Sequence, residues 1–266
     1  EPEGRAPGTA EAMPKQVLPP FVPLQEGSEA CELDNGARHL VDQAALAAFF
    51  KLHATRRRVG TDRVLPDFHE FGLSLAMVTS GMLIAAMDLP DNRRQILFVY
   101  CPGDVIFADA LTRVGAVGLR TLSDVELSVM SETSLMAARQ AKAETVQTLL
   151  EVAVRHLSDL MLHSAALGRL KTDERVATFF LEFALRLGTV HHGTATMDLG
   201  MRREDIADYL GLNPDTLSRA ISRLRRERVV TFVNAGRVIV HLDALSERTP
   251  LGPAMRAGLA TARREA

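Results

Sequence analysis

A stretch of thirty residues without proline or glycine, from Leu135 to Ser164, limits most strongly what this chain can fold into. Within it, apolar or small residues recur at alternating spacings of three and four, which is the spacing of a coiled-coil seam. A helix of this length is roughly 45 Å long. The stripe is narrow, so the pattern favours pairing with a second copy over packing within one chain, and it predicts a dimerisation helix over residues 135–167. The predicted seam residues are Val146, Leu150, Ala153, Leu157 and Leu160.

Length and composition limit the class of protein. The chain has 266 residues and a mass of 29.0 kDa, which suggests two domains. It contains no run of about 18 apolar residues that could cross a membrane, and its N-terminus lacks the basic and apolar regions of a signal peptide. Two cysteines, Cys31 and Cys101, are too few for a disulfide scaffold. We therefore expect a cytoplasmic protein that does not bind membranes.

The N-terminal half changes in texture along its length. Residues 1–30 hold six of the twelve prolines, which predicts a flexible leader, and a short helix is predicted at Gln43–His53. Between Arg63 and Met130, short apolar runs are separated by turn residues, which is typical of an antiparallel sandwich or barrel. This β-rich domain is expected at residues 31–134. Its strand-like runs are Leu73–Val78, Met82–Met87, Ile96–Tyr100, Val105–Phe107 and Val125–Met130.

Residues 202–226 carry the most specific signal in the sequence. Gly211 suits the end of one helix, and Asn213 followed by Pro214 is typical of the start of the next. The pattern predicts a helix-turn-helix whose second helix, 214–226, enters a major groove of DNA. A helical hairpin with a solvated arginine face is the alternative. The apolar residues of the two helices are Ile206, Leu210, Leu217, Ile221 and Leu224.

The outward side chains of the second helix suit base recognition. The whole chain has a net charge of −2, but residues 214–228 contain five arginines against two acidic residues, a local charge of +3. Such a concentrated positive surface indicates a specific anionic partner. Arginine donates two hydrogen bonds to guanine, a carboxylate accepts from cytosine, and a hydroxyl serves either base. The predicted outward residues are Asp215, Ser218, Arg219, Ser222 and Arg223.

Two β-like runs follow this helix. Val229–Val233 and Arg237–His241 are joined by residues 234–236, whose Asn-Ala-Gly sequence suits a tight hairpin. We interpret the hairpin as a wing that lies against the DNA backbone.

Glycines divide the segment between the long helix and the helix-turn-helix. Gly168 is expected to end the long helix, Lys171–Leu187 is predicted to be a second amphipathic helix, and Gly188–Gly193 is predicted to be a solvated linker. The winged helix-turn-helix domain is therefore expected at 168–250, with a C-terminal tail at 251–266.

Several segments after residue 40 together resemble the CRP/FNR family of bacterial transcription regulators. The matching segments are Val78-Thr79-Ser80-Gly81, Asn92-Arg93-Arg94-Gln95-Ile96, Pro102-Gly103-Asp104, Glu174-Arg175-Val176-Ala177, 205–212 and Thr216-Leu217-Ser218-Arg219. The resemblance implies an α+β fold with an N-terminal cyclic-nucleotide-binding-type β-roll (jelly roll) of eight strands, a long dimerisation helix and a C-terminal winged helix-turn-helix.

The recognition segment is most similar to the FNR/FixK branch of that family, without its iron–sulfur cysteines. That branch reads TTGA-type half-sites with a Glu-x-x-Ser-Arg set, whose positions here are Asp215, Ser218 and Arg219. Aspartate is one methylene shorter than glutamate, so the base that it reads stays open. The resemblance implies a homodimeric activator that binds a palindrome in double-stranded DNA and contacts RNA polymerase. Further predicted DNA contacts are Thr216, Ser222, Arg202, Arg223 and Arg225.

The sensor domain lacks the residues that the family uses for cyclic AMP. Phe107 and Ala108 stand where cyclic-AMP receptors have a Gly-Glu pair, and the expected arginine position falls near Gly115. Without a ribose-binding carboxylate and a phosphate-binding arginine, the sequence argues against cyclic AMP as the effector.

The sequence also lacks a marked metal or haem site. Two cysteines cannot hold a four-cysteine iron–sulfur cluster, and Cys101 is expected to be a buried small apolar residue. A haem-based gas- or redox-sensing regulator of the same fold is the alternative, although no spacing marks a ligand. The histidines considered are His53, His69, His156 and His163, of which the last two are expected at the surface or the seam. The cofactor is left unassigned.

The sequence argues against two other functions. A jelly-roll metal enzyme needs several converging ligands, but residues 63–130 contain one histidine, His69, and no catalytic motif is present, so the chain is predicted not to be an enzyme. A regulator that acts only through protein partners would not need the Ser218-Arg219 pair.

Overall fold

The computed structural model describes residues 43–65, 74–115, 117–141, 143–234 and 236–256. All of them lie in one compact unit that spans residues 36–266. The predicted leader, Cys31, His69 and the end of the predicted tail lie outside the described residues. Within the described ranges, no helix is both long enough and apolar enough to span a bilayer.

An antiparallel β-roll forms the N-terminal part of the described chain, as predicted, and its described residues contain seven strands where the resemblance implies eight. One sheet has the strand order β1-β7-β2-β5, and the other has the order β4-β3-β6. Helix α1 precedes the first strand, and the short helix α2 follows β5. The elements are α1 (Gln43–His53), β1 (Thr55–Val59), β2 (Leu75–Ser80), β3 (Leu83–Asp88), β4 (Arg94–Tyr100), β5 (Val105–Phe107), α2 (Ala108–Thr112), β6 (Val117–Thr121) and β7 (Val125–Met130).

Two of these strands are absent from the sequence-based prediction. Strand β1 has the sequence TRRRV, and its first four residues are exposed. It lies at the end of its sheet and pairs with β7, so it needs no apolar alternation. Strand β6 contains Gly118 and pairs with β3. Both strands are formed by pairing with distant segments rather than by a local hydrophobic pattern.

The interior of the roll is filled with apolar side chains. Leu83, Leu119 and Leu127 are fully buried there, and the rings of Phe98 and Tyr100 lie 4.7 Å apart. Helix α1 closes a second, smaller core, because its Leu46 and Phe50 are buried together with residues of β2, β5, β7 and the long helix.

The long helix is α4 (Ala143–Arg169), preceded by α3 (Glu132–Ala141), with residue 142 outside the described residues. The prediction that Gly168 ends this helix is wrong, since the helix continues through Gly168 to Arg169, two residues beyond the predicted end at 167. Glycine costs a helix only about 1 kcal/mol relative to alanine, and tertiary contacts outweigh that amount. Helix α5 (Thr172–Leu187) follows after a short turn.

The segment that was predicted to be a solvated linker is instead a β-hairpin. Strands β8 (Thr189–His191) and β9 (Thr194–Asp198) pair across His192 and Gly193, which have φ values of 47° and 78°. Positive φ at both central residues is the geometry of a tight hairpin turn. Strand β9 also pairs with the second strand of the predicted wing, Arg237–His241. The segment is therefore part of a sheet and not a solvated linker.

The helix-turn-helix and the wing complete the C-terminal part. Helix α6 (Arg203–Leu210) and helix α7 (Pro214–Arg226) are followed by β10 (Val230–Phe232), β11 (Arg237–His241) and α8 (Leu242–Ser246). The predicted wing strands are β10 and β11, which join the hairpin in a sheet of order β10-β11-β9-β8.

The β-roll and the C-terminal elements share one apolar core. Met82, Ile84 and Ile96 of the roll pack in the same cluster as Phe180 of α5 and Leu210 of α6. The helix-turn-helix is therefore held against the β-roll by buried contacts as well as by the chain connection.

Candidate nucleic-acid interface

The turn between α6 and α7 has the geometry that its sequence predicts. Gly211 adopts the left-handed conformation, with φ 60° and ψ 40°, and the amide of Leu212 donates to the carbonyl of Ala207 at 2.9 Å. The side chain of Asn213 accepts from the amide of Asp215 at 2.9 Å, and Pro214 occupies the first helical position. These local contacts set the angle between the two helices.

Helix α7 separates its side chains into a buried face and an exposed face. Leu217, Ala220, Ile221 and Leu224 are buried, which fixes the rotation of the helix. Four predicted contact residues, Asp215, Ser218, Ser222 and Arg225, are exposed on the outer side, and Thr216 is half-buried.

Arg219 lies on the exposed face with most of its donors open to a ligand. Its Nη2 donates to the Thr216 hydroxyl at 3.4 Å, and no carboxylate within the described part of the chain pairs with it. A guanidinium that projects from the first two turns of the second helix can donate two bonds to the edge of a guanine.

Arg202 and Arg223, two of the predicted phosphate contacts, are already engaged within the protein. Arg202 Nη2 lies 2.7 Å from an Asp62 carboxylate oxygen of the β-roll, and Arg223 pairs with Asp173 at the start of α5, with Nε 3.0 Å from Oδ2. These ion pairs are at the surface, where water screens them and phosphate oxygens can compete for the same donors.

Two arginines share the ring of Phe232 on the wing strand. The guanidinium carbon of Arg203 lies 4.5 Å from the ring centroid, and that of Arg225 lies 5.8 Å from it. Burial, together with the like charge of Arg225, lowers the pKa of Arg203. The arrangement connects α6, α7 and the wing, and it places two positive charges side by side. Sequence reasoning missed Arg203, although the Arg202-Arg203 pair at the start of α6 was a visible signal.

The first helix of the motif is anchored to strand β4 of the roll. Arg94 Nη2 lies 2.5 Å from Asp205, and Arg94 Nε donates to Asp208 at 2.7 Å. Burial opposes the charge of Arg94, but the two carboxylates outweigh it and raise its pKa. Gln95 adds a bond from its side-chain amide to the carbonyl of Tyr209 at 3.2 Å. No local sequence signal indicates this contact, because its members lie more than a hundred positions apart.

A buried carboxylate connects the roll, the long helix and α5. Asp104 Oδ2 accepts from Arg186 at 2.6 Å and from the Cys101 amide at 2.8 Å, while Arg155 of α4 lies 3.4 Å from Oδ1. Burial alone would raise the pKa of Asp104, but Arg186, with smaller effects of His156 and the Cys101 amide, lowers it to about 2. This cluster holds three elements in one arrangement.

Cys101 and His156 are buried, whereas His163 of the long helix is half-buried. Cys101 is buried, as predicted. Burial raises the pKa of its thiol to about 12. His156 and His163 were predicted to lie at the surface or the seam, but His156 is buried. His156 packs against Phe98, with ring centroids 4.9 Å apart, and His163 stacks on Tyr209 at 4.1 Å. Both rings contact other elements of the same chain, β4 and α6.

The outer face of α4 carries an exposed apolar stripe, defined here as Val146, Leu150, Val154, Leu157 and Met161. Their exposed fractions lie between 45% for Val146 and 64% for Met161. Of the other predicted seam residues, Leu160 is 41% exposed and Ala153 is half-buried, so both flank the stripe. Val154 and Met161 were missed, although each follows a predicted seam residue by four positions.

The two described residues at the predicted nucleotide positions offer no charge partner for a cyclic nucleotide. Phe107 is half-buried and packs near His156, with ring centroids 6.0 Å apart, and Ala108 is buried in the apolar cluster. A buried phosphate needs a cation or several donors. No group of three metal-ligating side chains occurs among the described residues either.

Comparison with known proteins identifies relatives of the whole arrangement. Residues 174–248 match the Crp-like helix-turn-helix domain. The nitrogen fixation regulation protein FixK of Azorhizobium caulinodans is 30% identical over 232 residues, which are 86% of this chain and 90% of the relative. The protein of the same name from Bradyrhizobium diazoefficiens is 31% identical over 163 residues, which are 60% of this chain and 67% of the relative. The solved structure of FixK2 from Bradyrhizobium japonicum superposes with a TM-score of 0.63 and 28% identity, covering 74% of this chain and 97% of that one.

The fold and the exposed recognition helix define a transcription regulator that joins a β-roll to a winged helix-turn-helix. The chain belongs to the CRP/FNR family, in its FixK-like branch. Because the matched relatives are regulators, the chain is a DNA-binding transcription regulator and not an enzyme.

Proposed function

We propose that the protein is a homodimer that recognises a palindromic, TTGA-like DNA site through α7. The exposed face of α7 carries the proposal, because it presents Arg219 without a carboxylate partner in the described part of the chain. The resemblance of the recognition segment to the FNR/FixK branch, together with the similarity of the chain to FixK regulators, supports a site of this type.

Three side chains on α7 read the bases. Arg219 donates two hydrogen bonds to a guanine, and Ser218 contacts a neighbouring base or phosphate. Asp215 accepts from a cytosine amino group or orients Arg219. Thr216 holds Arg219 through its hydroxyl, and Ser222 lies one turn further along the exposed face, although its hydroxyl donates to the carbonyl of Ser218.

The phosphate contacts come from arginines around the motif. Arg225 and Arg203 present a shared positive surface beside the wing. Arg202 leaves its ion pair with Asp62 to bind a phosphate. Arg223 likewise leaves Asp173. Such contacts position the protein and make its affinity depend on salt, but they carry no sequence information.

Dimerisation through the α4 stripe supplies the symmetry of the site. An exposed row of five large apolar residues on one helix face favours association with an identical face. The two recognition helices of such a dimer contact half-sites about one DNA turn apart, roughly 34 Å. The target is therefore a palindrome with that spacing, and RNA polymerase is the further partner.

The signal is not cyclic AMP and does not require a four-cysteine cluster. Phe107 and Ala108 occupy the nucleotide positions, and the apolar roll interior does not favour a phosphate there. His156 and His163 are packed against aromatic rings, which does not favour them as haem ligands.

Substitution of Arg219 tests this function. We expect Arg219→Ala to weaken binding by about 1–3 kcal/mol per half-site and to relax the preference at one base pair. Arg225→Ala is the matched control, since loss of a phosphate contact should weaken binding to all sequences alike and flatten its salt dependence. The measurement is a titration of a TTGA palindrome and its single-base variants by fluorescence anisotropy. An unchanged base preference in Arg219→Ala would disprove the role of this residue.

A further inference from the structure

One guanidinium joins the end of the long helix to the turn of the DNA-reading motif. Arg175, on the first turn of α5, donates from Nη1 to the carbonyl of Leu210 at 2.8 Å. Its Nη2 donates to the carbonyls of Leu167 at 3.0 Å and Leu170 at 3.2 Å. The side chain is half-buried and therefore sheltered from water in this position.

The three acceptors belong to the C-terminal ends of two different helices. Leu167 lies in the last turn of α4 and Leu170 directly after it, while Leu210 is the last residue of α6. Carbonyls at the end of a helix have no partner within the helix and carry partial negative charge. A planar guanidinium can satisfy several of them at once, because its donors diverge in a fixed fork.

Two further contacts bring the same helix ends together. The ring of His163 on α4 stacks on Tyr209 of α6, with centroids 4.1 Å apart and planes 18° apart. A Cβ placed on Gly211 would lie 3.7 Å from Leu167 Cδ2 and 3.8 Å from Arg175 Nη1. The turn that precedes the recognition helix therefore rests on the end of the helix that carries the apolar stripe.

We propose that Arg175 is a positioning residue that sets the separation of the two recognition helices, and hence the half-site spacing that the dimer accepts. The inference rests on the proposed dimeric function. Arg175 contacts no DNA in this role and acts by fixing α6, and with it α7, relative to α4. Without the Arg175 guanidinium, the helix-turn-helix rotates more freely relative to the end of α4. The dimer then no longer favours one half-site spacing.

Operators that differ only in spacing test the proposal. Each added or removed base pair moves the half-sites by roughly 3.4 Å and rotates them by about a tenth of a turn. Wild-type protein should bind one spacing best, whereas Arg175→Ala should lose roughly tenfold in affinity for that spacing and much less for spacings one base pair longer or shorter. The affinity for an isolated half-site should change little.

Two other variants separate geometry from charge. Arg175→Lys keeps the positive charge but cannot direct donors to two helix ends, so its spacing profile should resemble that of Arg175→Ala. It also serves if the alanine variant fails to fold. Arg169→Ala removes an exposed arginine from the end of α4 and should keep the wild-type profile.

The outcomes are distinguishable. A narrow wild-type spacing profile that flattens in both Arg175 variants supports the inference. Equal losses on all spacings and on the half-site, or full rescue by lysine, would overturn it and leave the proposed function intact. Failure of the wild-type protein to bind any palindrome would instead overturn the proposed function.

Discussion

Gly211 ends a helix whereas Gly168 lies within one, and the difference lies in their backbone angles. Gly211 has φ 60°, a conformation that costs other residues about 1 kcal/mol or more. Its added Cβ would meet only ordinary contacts, so the cost of a substitution there comes from the backbone. Gly168 is helical without positive φ, and a Cβ there would meet nothing within 4 Å.

Opposite effects of one substitution are therefore expected at the two glycines. Gly211→Ala should lower the free energy of unfolding by about 1–2 kcal/mol, and Gly168→Ala should raise it by about 0.5–1 kcal/mol. Urea denaturation at a single protein concentration measures both, and each variant serves as the control for the other. A stabilising Gly211→Ala would show that the left-handed turn is not maintained in solution.

At the scale of a single element, α4 is a helix with two apolar faces. Its inward face carries Val152 and His156, which pack on the roll, and its outward face carries the stripe. A helix with one side on its own domain and an apolar side exposed gains further burial only from another molecule. The stretch without proline or glycine, from Leu135 to Ser164, suits a helix that carries both an inward and an outward apolar face.

A charge placed in the stripe should separate the dimer. Leu157→Lys puts an ammonium at the centre of the apolar seam, where burial of an unpaired charge is costly, so we expect a monomer. Ser158→Lys places the same charge one residue further round the helix, outside the stripe, and should leave the dimer intact. Sedimentation velocity distinguishes the two states. A dimeric Leu157→Lys would show that the stripe is not the interface.

At the scale of the whole molecule, Asp104 connects the roll, the long helix and α5 through its contacts with Arg155 and Arg186. Removal of its charge leaves Arg186 partly buried with fewer partners, so Asp104→Asn should lower the free energy of unfolding by about 3 kcal/mol. Because the folded pKa is about 2, below the ordinary 3.8, this group stabilises the fold above about pH 4. Its contribution, about 2 kcal/mol, is lost as the pH falls to about 2.

Denaturation between pH 2 and pH 6 measures this dependence. The free energy of unfolding of the wild-type protein should fall as the pH decreases towards 2. The Asp104→Asn variant should not show the part of this decrease that comes from Asp104. Asp109→Asn removes an exposed carboxylate of the same domain and should change the stability by less than about 0.5 kcal/mol. Identical acid limbs for wild type and Asp104→Asn would contradict the role of Asp104.

Features that depend on neighbouring residues were predictable from the sequence. The turn at Gly211, the cap at Asn213 and the buried face of α7 follow from local backbone preference and helical spacing, and the structure contains all three. The turns and apolar runs likewise indicated the roll. For the same reason, the outward residues of α7 could be named from helical spacing.

Features that depend on distant partners were decided by the tertiary structure. The arginine-rich strand β1 and the hairpin at His192 form because another segment completes their hydrogen bonds. The inward direction of His163 and the three acceptors of Arg175 also follow from how helices meet. A local pattern records which side chains prefer burial and which backbone angles are available. It does not record which distant carbonyl, carboxylate or strand edge lies opposite, because those positions exist only once the chain is packed.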